Sequence, residues 1–162
     1  MEIPKKDIKE IDLFNLLADQ EWVMVRGVNS IKDIKEQARK YFSKRDFDNY
    51  TRRDSYPIKF ISRLKRKGVI PETKKLFLAA KRDKVMIPTK ITVNKEFLQL
   101  VGLYIAEGYS RMIPGNLYQS YIATENEEVR SFIRENMKNI FGLKVTEKKK
   151  DRSTYSSRII YY

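Results

Sequence analysis

The feature that most constrains the fold is an unusually apolar stretch in the second half of the chain. Phe97–Ala106 is hydrophobic on nearly every side of a helix, and Asn94 is a suitable N-cap in front of it. A helix that lacks a polar face is typical of a protein interior. We therefore predict a helix over residues 94–108 that is buried in its domain.

The residues after this helix predict four strands and a second long helix. The predicted strands are Tyr109–Met112, Tyr118–Thr124, Leu143–Lys149 and Thr154–Tyr162. The second helix lies between the second and third strands. Thr124 and Glu127 have capping-box spacing at its start, and Gly142 would end it. The resulting order is α-β-β-α-β-β, and the fold class is α+β.

Small residues in the first helix indicate a close contact with another helix. Gly102 and Ala106 are four residues apart and therefore lie on one helix face. Small side chains at this spacing permit a second helix to approach closely. Leu100 and Leu103 can pack around that contact.

Glu107 occupies the last turn of the same helix, before Gly108 releases the chain. A carboxylate there meets the negative end of the helix dipole, which is unfavourable unless a cation compensates. Pairing two such helices would bring two carboxylates together, and these could hold divalent ions that activate water. The alternative is a core helix whose Glu107 simply reaches solvent.

The chain contains neither cysteine nor histidine. This excludes disulfides, thiolate and imidazole catalysis, and the usual ligands of zinc. Any bound metal would be held by carboxylates, carbonyl groups and water, which suit a hard ion such as Mg²⁺ or Ca²⁺.

The nine residues Leu100–Gly108, with the sequence LVGLYIAEG, resemble the LAGLIDADG motif of homing endonucleases. The matching positions are Leu100, Gly102, Leu103, Ala106, Glu107 and Gly108. The sixth position is Ile105 instead of the acid that gives the motif its name. The resemblance covers about residues 92–162, and residues 12–90 more loosely resemble a segment of inteins in archaeal DNA polymerase large subunits.

The resemblance implies a half-saddle whose four-stranded sheet lies in the major groove of a long DNA target. It also implies cutting that depends on Mg²⁺ or a similar ion held by Glu107, with Gln119 near the cleavage centre. The family needs two motifs and this chain has one, so we expect a homodimer or a second motif-bearing domain. The chain ends at Tyr162, within or just after the fourth strand, so we expect a domain truncated at its C-terminus.

One face of the sheet is expected to contact DNA. In the second strand, Ser120 and Ile122 should face the helices, while Gln119 and Tyr121 face the groove. In the third strand, Val145 should point inward. The other residues expected at the DNA are Arg111, Lys144, Thr146, Lys148 and Arg158.

The net charge of +13 predicts a polyanionic partner, because neutralising phosphates releases counterions. Residues 1–90 carry 23 Lys and Arg against 13 Asp and Glu, so this basic N-terminal α/β region is expected to end near residue 90. The helix predicted at Pro57–Lys67 has a basic face with four cations, which we expect to bind DNA phosphates without sequence preference; the alternative is a face that is simply solvated. These cations are Lys59, Arg63, Arg66 and Lys67.

The rest of the N-terminal region predicts shorter elements. Helices are expected at Asp12–Ala18 and Ser30–Phe42, and a strand is expected at Trp22–Arg26 before Gly27. Residues 43–55 are polar and are predicted to be irregular. Two short apolar runs, Leu76–Ala80 and Val85–Ile87, predict small strands or an ordered connector.

Together these patterns favour a site-specific DNA endonuclease, or an inactive remnant of one. The alternatives are a DNA-binding regulator that kept the fold and lost cutting, and an RNA-splicing maturase of the same fold. No apolar run approaches the roughly 20 residues needed to cross a bilayer, so we expect a soluble, cytoplasmic protein.

Overall fold

A computed structural model describes residues 9–71, 75–81, 83–114, 117–149 and 152–161 of the chain. The described residues form a mixed α/β protein with antiparallel sheets and two compact units. Of the described residues, the C-terminal unit takes in 9–13, Lys90–Ser157 and Tyr161, and the N-terminal unit takes in Phe14–Thr89 and Arg158–Ile160. Within the described ranges, none of the helices combines the length and the apolar character that crossing a membrane requires.

The N-terminal unit is built on a four-stranded antiparallel sheet. Its strands are β2 (Val23–Arg26), β3 (Ser55–Pro57), β4 (Phe77–Ala80) and β5 (Ile87–Pro88), in the spatial order β3-β2-β4-β5. Its helices are α1 (Leu13–Leu16), α2 (Ile34–Tyr41), α3 (Lys44–Arg53) and α4 (Ile58–Arg66). Val23, Val25 and Leu78 are fully buried, so these short strands form the core of the unit.

Helix α4 confirms the amphipathic helix predicted at Pro57–Lys67. It follows Pro57 directly, and Gly68 after it has a φ of +71°, which favours glycine. Phe60, Ile61 and Leu64 are buried, as their spacing predicts.

Helix α3 contradicts the prediction that residues 43–55 are irregular. Ser43 caps its start by accepting a hydrogen bond from the Asp46 amide at 3.2 Å. Asp54 ends it in a left-handed conformation, and its carboxylate accepts hydrogen bonds from the amides of Gly27, Val28 and Asn29 at 2.8–3.1 Å. The helix is therefore fixed by its two ends, which a search for apolar periodicity does not detect.

The C-terminal unit is built on a second four-stranded antiparallel sheet, in the order β7-β8-β10-β9. The strands are β7 (Gly108–Ile113), β8 (Leu117–Ala123), β9 (Thr146–Lys149) and β10 (Arg152–Ser156). The helices of this unit are α5 (Lys95–Glu107) and α6 (Glu127–Phe141). The short α7 (Arg158–Tyr161) follows the last strand in the chain, and its residues Arg158–Ile160 belong to the N-terminal unit. The predicted α-β-β-α-β-β order is confirmed for residues 95–156.

A small separate sheet in this unit pairs β1 (Glu10–Asp12) with β6 (Lys90–Thr92) in antiparallel register. The predicted helix at Asp12–Ala18 is therefore wrong in its extent, because β1 holds Asp12 and only Leu13–Leu16 is helical. Residues about 80 positions apart form this pair, and a local sequence pattern carries no sign of such a contact.

Three further bounds in the C-terminal unit differ from the prediction. Asn126, not Thr124, caps α6, because its side chain accepts from the amides of Glu128 and Val129. The third strand begins at Thr146 instead of Leu143, and the fourth ends at Ser156 instead of continuing to Tyr162. Gly142 ends α6 with a φ of +68°, as predicted.

Candidate nucleic-acid interface

Helix α5 carries the motif-like segment and is defined sharply at both ends. The Asn94 side chain accepts a hydrogen bond from the Phe97 amide at 2.9 Å, which confirms the predicted N-cap. At the other end the chain turns directly into β7 at Gly108. A Cβ at Gly108 would overlap the carbonyl oxygen and the ring of Tyr104, so this exit requires glycine.

The prediction that α5 is buried on all sides is wrong. Leu100 is only 4% exposed, but Leu98, Val101 and Ile105 are 57%, 38% and 78% exposed. Gly102 and Ala106 are exposed too, and the spacing of the five residues places them on one side of the helix. We call these five residues, Leu98, Val101, Gly102, Ile105 and Ala106, the apolar α5 face.

The two leucines expected beside this face have different places. Leu100 packs within the core of its own unit, so it does not lie at the exposed contact face. Leu103 is half-buried and lines an apolar groove between α5 and α6. The other residues lining that groove are Gln99, Gly102, Glu128, Val129 and Phe132.

Glu107 ends α5 with its side chain exposed. In the part of the chain that the structure describes, no three carboxylates group together in a way that could hold a metal ion. Carboxylate and helix-end carbonyl oxygens are suitable donors for a hard cation, and Glu107 supplies one such carboxylate at this end of α5. A metal site here would therefore need ligands beyond any group that the described residues bring together.

A partly buried hydrogen-bond network joins α5 to β7 and β8. The Tyr104 hydroxyl lies 2.6 Å from Ser110 Oγ, which in turn lies 2.5 Å from Ser120 Oγ. Burial raises the pKa of the neighbouring Tyr155 phenol to about 12, so it stays neutral at ordinary pH. This network was not predicted from the sequence, in which its only sign is the pair of serines at inward-facing strand positions.

The inward and outward faces of the sheet are those predicted. Ser120 and Ile122 are 3% and 1% exposed and lie on the helix side. Gln119 and Tyr121 lie half-buried on the opposite face, which we call the outer sheet face. Gln119 is three residues along β8 from Ile122, the partner of Gly108, and is therefore about 10 Å from the end of α5 along the strand.

The start of the third strand follows the predicted alternation too. Val145 is buried at 7% exposure, whereas Lys144 and Thr146 are exposed. The side chain of Lys148 lies outside the described residues.

A cluster of aromatic and cationic side chains occupies the outer sheet face. The Tyr121 ring stacks on Tyr109 with centroids 5.3 Å apart. The guanidinium carbons of Arg111 and Arg152 lie 5.5 and 5.8 Å from the centre of the Tyr121 ring. Arg152 was not among the residues predicted to contact DNA, because the predicted fourth strand began at Thr154, two residues after the start of β10.

Arg158, predicted to face DNA from the fourth strand, has a different position. It begins helix α7, and its guanidinium lies 4.2 Å from the centre of the Trp22 ring; both residues belong to the N-terminal unit. The strand ends at Ser156, so the alternation used to place Arg158 does not extend to it.

The basic face of α4 is exposed, and one acid lies beside it. Lys59, Arg63, Arg66 and Lys67 are all exposed. The Lys59 ammonium forms an ion pair with Glu21 at 3.0 Å. The Arg63 guanidinium lies over the Tyr41 ring at 5.5 Å from its centre. This face therefore mixes charge signs, contrary to the expectation from the helix sequence alone.

Comparison with known proteins gives one informative similarity. No protein-family model matches the chain. In an alignment of 176 residues, the chain is 30% identical to the DNA polymerase II large subunit of Thermococcus kodakarensis. The match covers 99% of this chain but only 9% of that subunit, so the chain spans a small part of its relative's length.

Proposed function

We propose that this chain is one half of a LAGLIDADG-type homing endonuclease, which hydrolyses specific phosphodiester bonds in double-stranded DNA. The apolar α5 face carries the proposal. It is exposed in a single chain, it contains two small residues at helix-contact spacing, and it leads directly to the exposed Glu107. The similarity to part of a DNA polymerase large subunit supports an origin from an intein in such a subunit.

A second motif helix would cover the apolar α5 face. Leu98, Val101 and Ile105 together expose a contiguous apolar strip, which is typical of an interaction surface. A second copy of the chain would supply a matching strip through a two-fold contact, in which the same residues face each other. Contact close to Ala106 would then bring the two Glu107 residues together.

The two Glu107 carboxylates would form an all-oxygen ligand set, which suits Mg²⁺. The negative end of each helix dipole would favour a cation at the same place. Such an ion, when bound, activates water and stabilises the leaving oxygen in phosphodiester hydrolysis. Glu107 itself needs no rearrangement to take part, because its side chain is already exposed.

The outer sheet face would contact the DNA. Arg111 and Gln119 are cross-strand partners there, and both are able to donate hydrogen bonds to base edges or phosphates. Tyr121, with its stacked ring and two neighbouring guanidinium groups, forms the centre of this face. Lys144 and Thr146 extend it toward the other edge of the sheet.

Cleavage of supercoiled plasmids carrying a randomised insert tests the proposal. Wild-type protein should produce linear DNA in the presence of Mg²⁺ and none in the presence of a chelator. Glu107→Gln should bind the same DNA in a mobility-shift assay without cutting it. Glu96→Gln, in the first turn of the same helix, is the matched control and should cut normally.

Other outcomes would either remove Glu107 from the site or indicate a different function. Cutting by Glu107→Gln at the wild-type rate would remove this residue from the site. Wild-type protein that binds DNA tightly without cutting would indicate a regulator of the same fold. Tighter binding to structured RNA than to duplex DNA would indicate a maturase.

A further inference from the structure

The N-terminal unit contains a basic cleft that the proposed function does not use. It has a volume of about 980 Å³ and lies between α3, the ends of β2 and β3, and the loop after β4. Among the described residues, five cations and two carboxylates line it. We define the α3 cleft by the five cations, Arg26, Arg45, Arg53, Lys81 and Lys84.

Both carboxylates in the α3 cleft are engaged in local structure. The Asp46 carboxylate accepts a hydrogen bond from the Ser43 hydroxyl at 2.9 Å, at the start of α3. The Asp83 carboxylate accepts from the Val85 amide at 3.0 Å. Within the described ranges, none of the five cations forms an ion pair with a carboxylate.

One cation of the cleft is held in a fixed position by the fold. Arg26 is half-buried at the end of β2, and its guanidinium donates to the Asp83 carbonyl at 2.5 Å. Arg45, Arg53, Lys81 and Lys84 are exposed around it. Several like charges around one concave surface repel each other, and an anionic ligand would relieve this repulsion.

We propose that the α3 cleft binds the phosphate backbone of duplex DNA. Arginine side chains match phosphate geometry with paired hydrogen bonds, and a concave basic surface concentrates the positive potential that attracts a polyanion. The side-chain amide of Asn49 in the same lining supplies a further donor to phosphate oxygens. This inference depends on the proposed function for the choice of DNA as the polyanion.

The α4 face offers the natural comparison, because it lies in the same unit and carries as many removable charges. Lys59 on that face already pairs with Glu21, and Arg63 is stacked on Tyr41. The cations of the α3 cleft have no such ion pairs among the described residues. Phosphate contacts should therefore be lost from the cleft and not from the α4 face when equal charge is removed.

The test uses the full chain and two charge-matched triple variants. The cleft variant is Arg45→Gln with Arg53→Gln and Lys84→Gln, and the control is Lys59→Gln with Arg63→Gln and Arg66→Gln. All six side chains are exposed, so both variants should keep the wild-type melting temperature. Fluorescence anisotropy of labelled random-sequence duplexes gives log K as a function of log salt.

In the cleft variant, the magnitude of the slope of log K against log salt should fall by about 2–3, because each lost phosphate contact lowers that slope by about 0.9. The variant should weaken binding equally for all sequences, whereas the control should stay near the wild type. An unchanged slope in the cleft variant, or an equal loss in the control, would overturn the assignment to the cleft. Equal or tighter binding of duplex RNA by the wild type would overturn DNA as the ligand.

Failure of this inference is distinguishable from failure of the proposed function. Magnesium-dependent cutting together with an unchanged cleft slope removes the cleft and leaves the endonuclease. A reduced cleft slope in a protein that never cuts DNA supports the cleft and removes the endonuclease. Wild-type protein without salt-dependent DNA binding would contradict both.

Discussion

Replacing Gly102 with alanine should change folding and self-association in opposite directions. Gly102 lies within α5, and a Cβ built there meets no atom within 4 Å in the described structure. Glycine in a helix interior costs about 1 kcal/mol relative to alanine. The fold of the single chain therefore gives no reason for glycine at this position, and Gly102→Ala should stabilise the isolated chain.

The expected stabilisation corresponds to a rise in melting temperature of about 2–8 °C for a unit of this size. The added methyl groups would separate two α5 helices that approach closely at Gly102. Overpacking of a close contact costs about 1–3 kcal/mol. This corresponds to a roughly 5- to 150-fold weaker self-association.

Gly68→Ala provides the matched control for this experiment. A Cβ at Gly68 likewise meets no atom within 4 Å, but its φ of +71° lies in the left-handed region. Alanine there should cost about 1–2 kcal/mol of stability and leave self-association unchanged. The two glycines thus separate the effect of backbone conformation from the effect of a helix contact.

Circular dichroism melts at high dilution measure folding, and sedimentation equilibrium measures self-association. Dilution matters because association raises the apparent stability. A lower melting temperature for Gly102→Ala would mean that the glycine serves the fold of its own chain. An unchanged association constant would refute the close approach of two helices at this position.

Two further predictions concern other residues of the described structure. Ile105→Ala should weaken self-association by about 2 kcal/mol per copy with little change in folding, because the side chain is 78% exposed in the single chain. The control is Leu16→Ala, which alters a side chain that is 70% exposed in the N-terminal unit and should not change sedimentation. Equal effects of the two variants on self-association would contradict the assigned contact face. Asp54→Ala should lower the free energy of unfolding by about 2–4 kcal/mol, because three backbone amides lose their acceptor. Asp48→Ala removes an equal charge from an exposed position of α3, and urea unfolding that is equally affected by both variants would indicate a general charge effect.

The sequence predicted best where a repeating pattern was local. Two-residue alternation placed Ser120 and Ile122 inward correctly, because each strand has one buried face. Capping chemistry placed the start of α5 at Asn94, since the contact spans only three residues. The spacing predicted that Gly102 and Ala106 share one face of α5, but the exposure of Leu98, Val101 and Ile105 was not predicted, because an exposed apolar face and a buried one have the same composition.

Prediction failed where a long-range contact determines the local structure. Helix α3 depends on the bonds from Asp54 to the loop at Gly27–Asn29, which are about 25 residues away. Arg158 was misplaced because the fourth strand stops at Ser156 and helix α7 follows. The basic α3 cleft follows from the same missed helix, since its wall could not be anticipated without α3.

The position of a divalent ion in crystals tests the central claim most directly. The protein would be crystallised with Mn²⁺ in place of Mg²⁺ and with a duplex selected for tight binding, and the ion would be located by its anomalous scattering. We predict two copies in contact along the apolar α5 face, with Mn²⁺ bound by the Glu107 carboxylates at the ends of both helices. Mn²⁺ that is bound only at places away from Glu107 would contradict the account, whether or not two copies are in contact along α5.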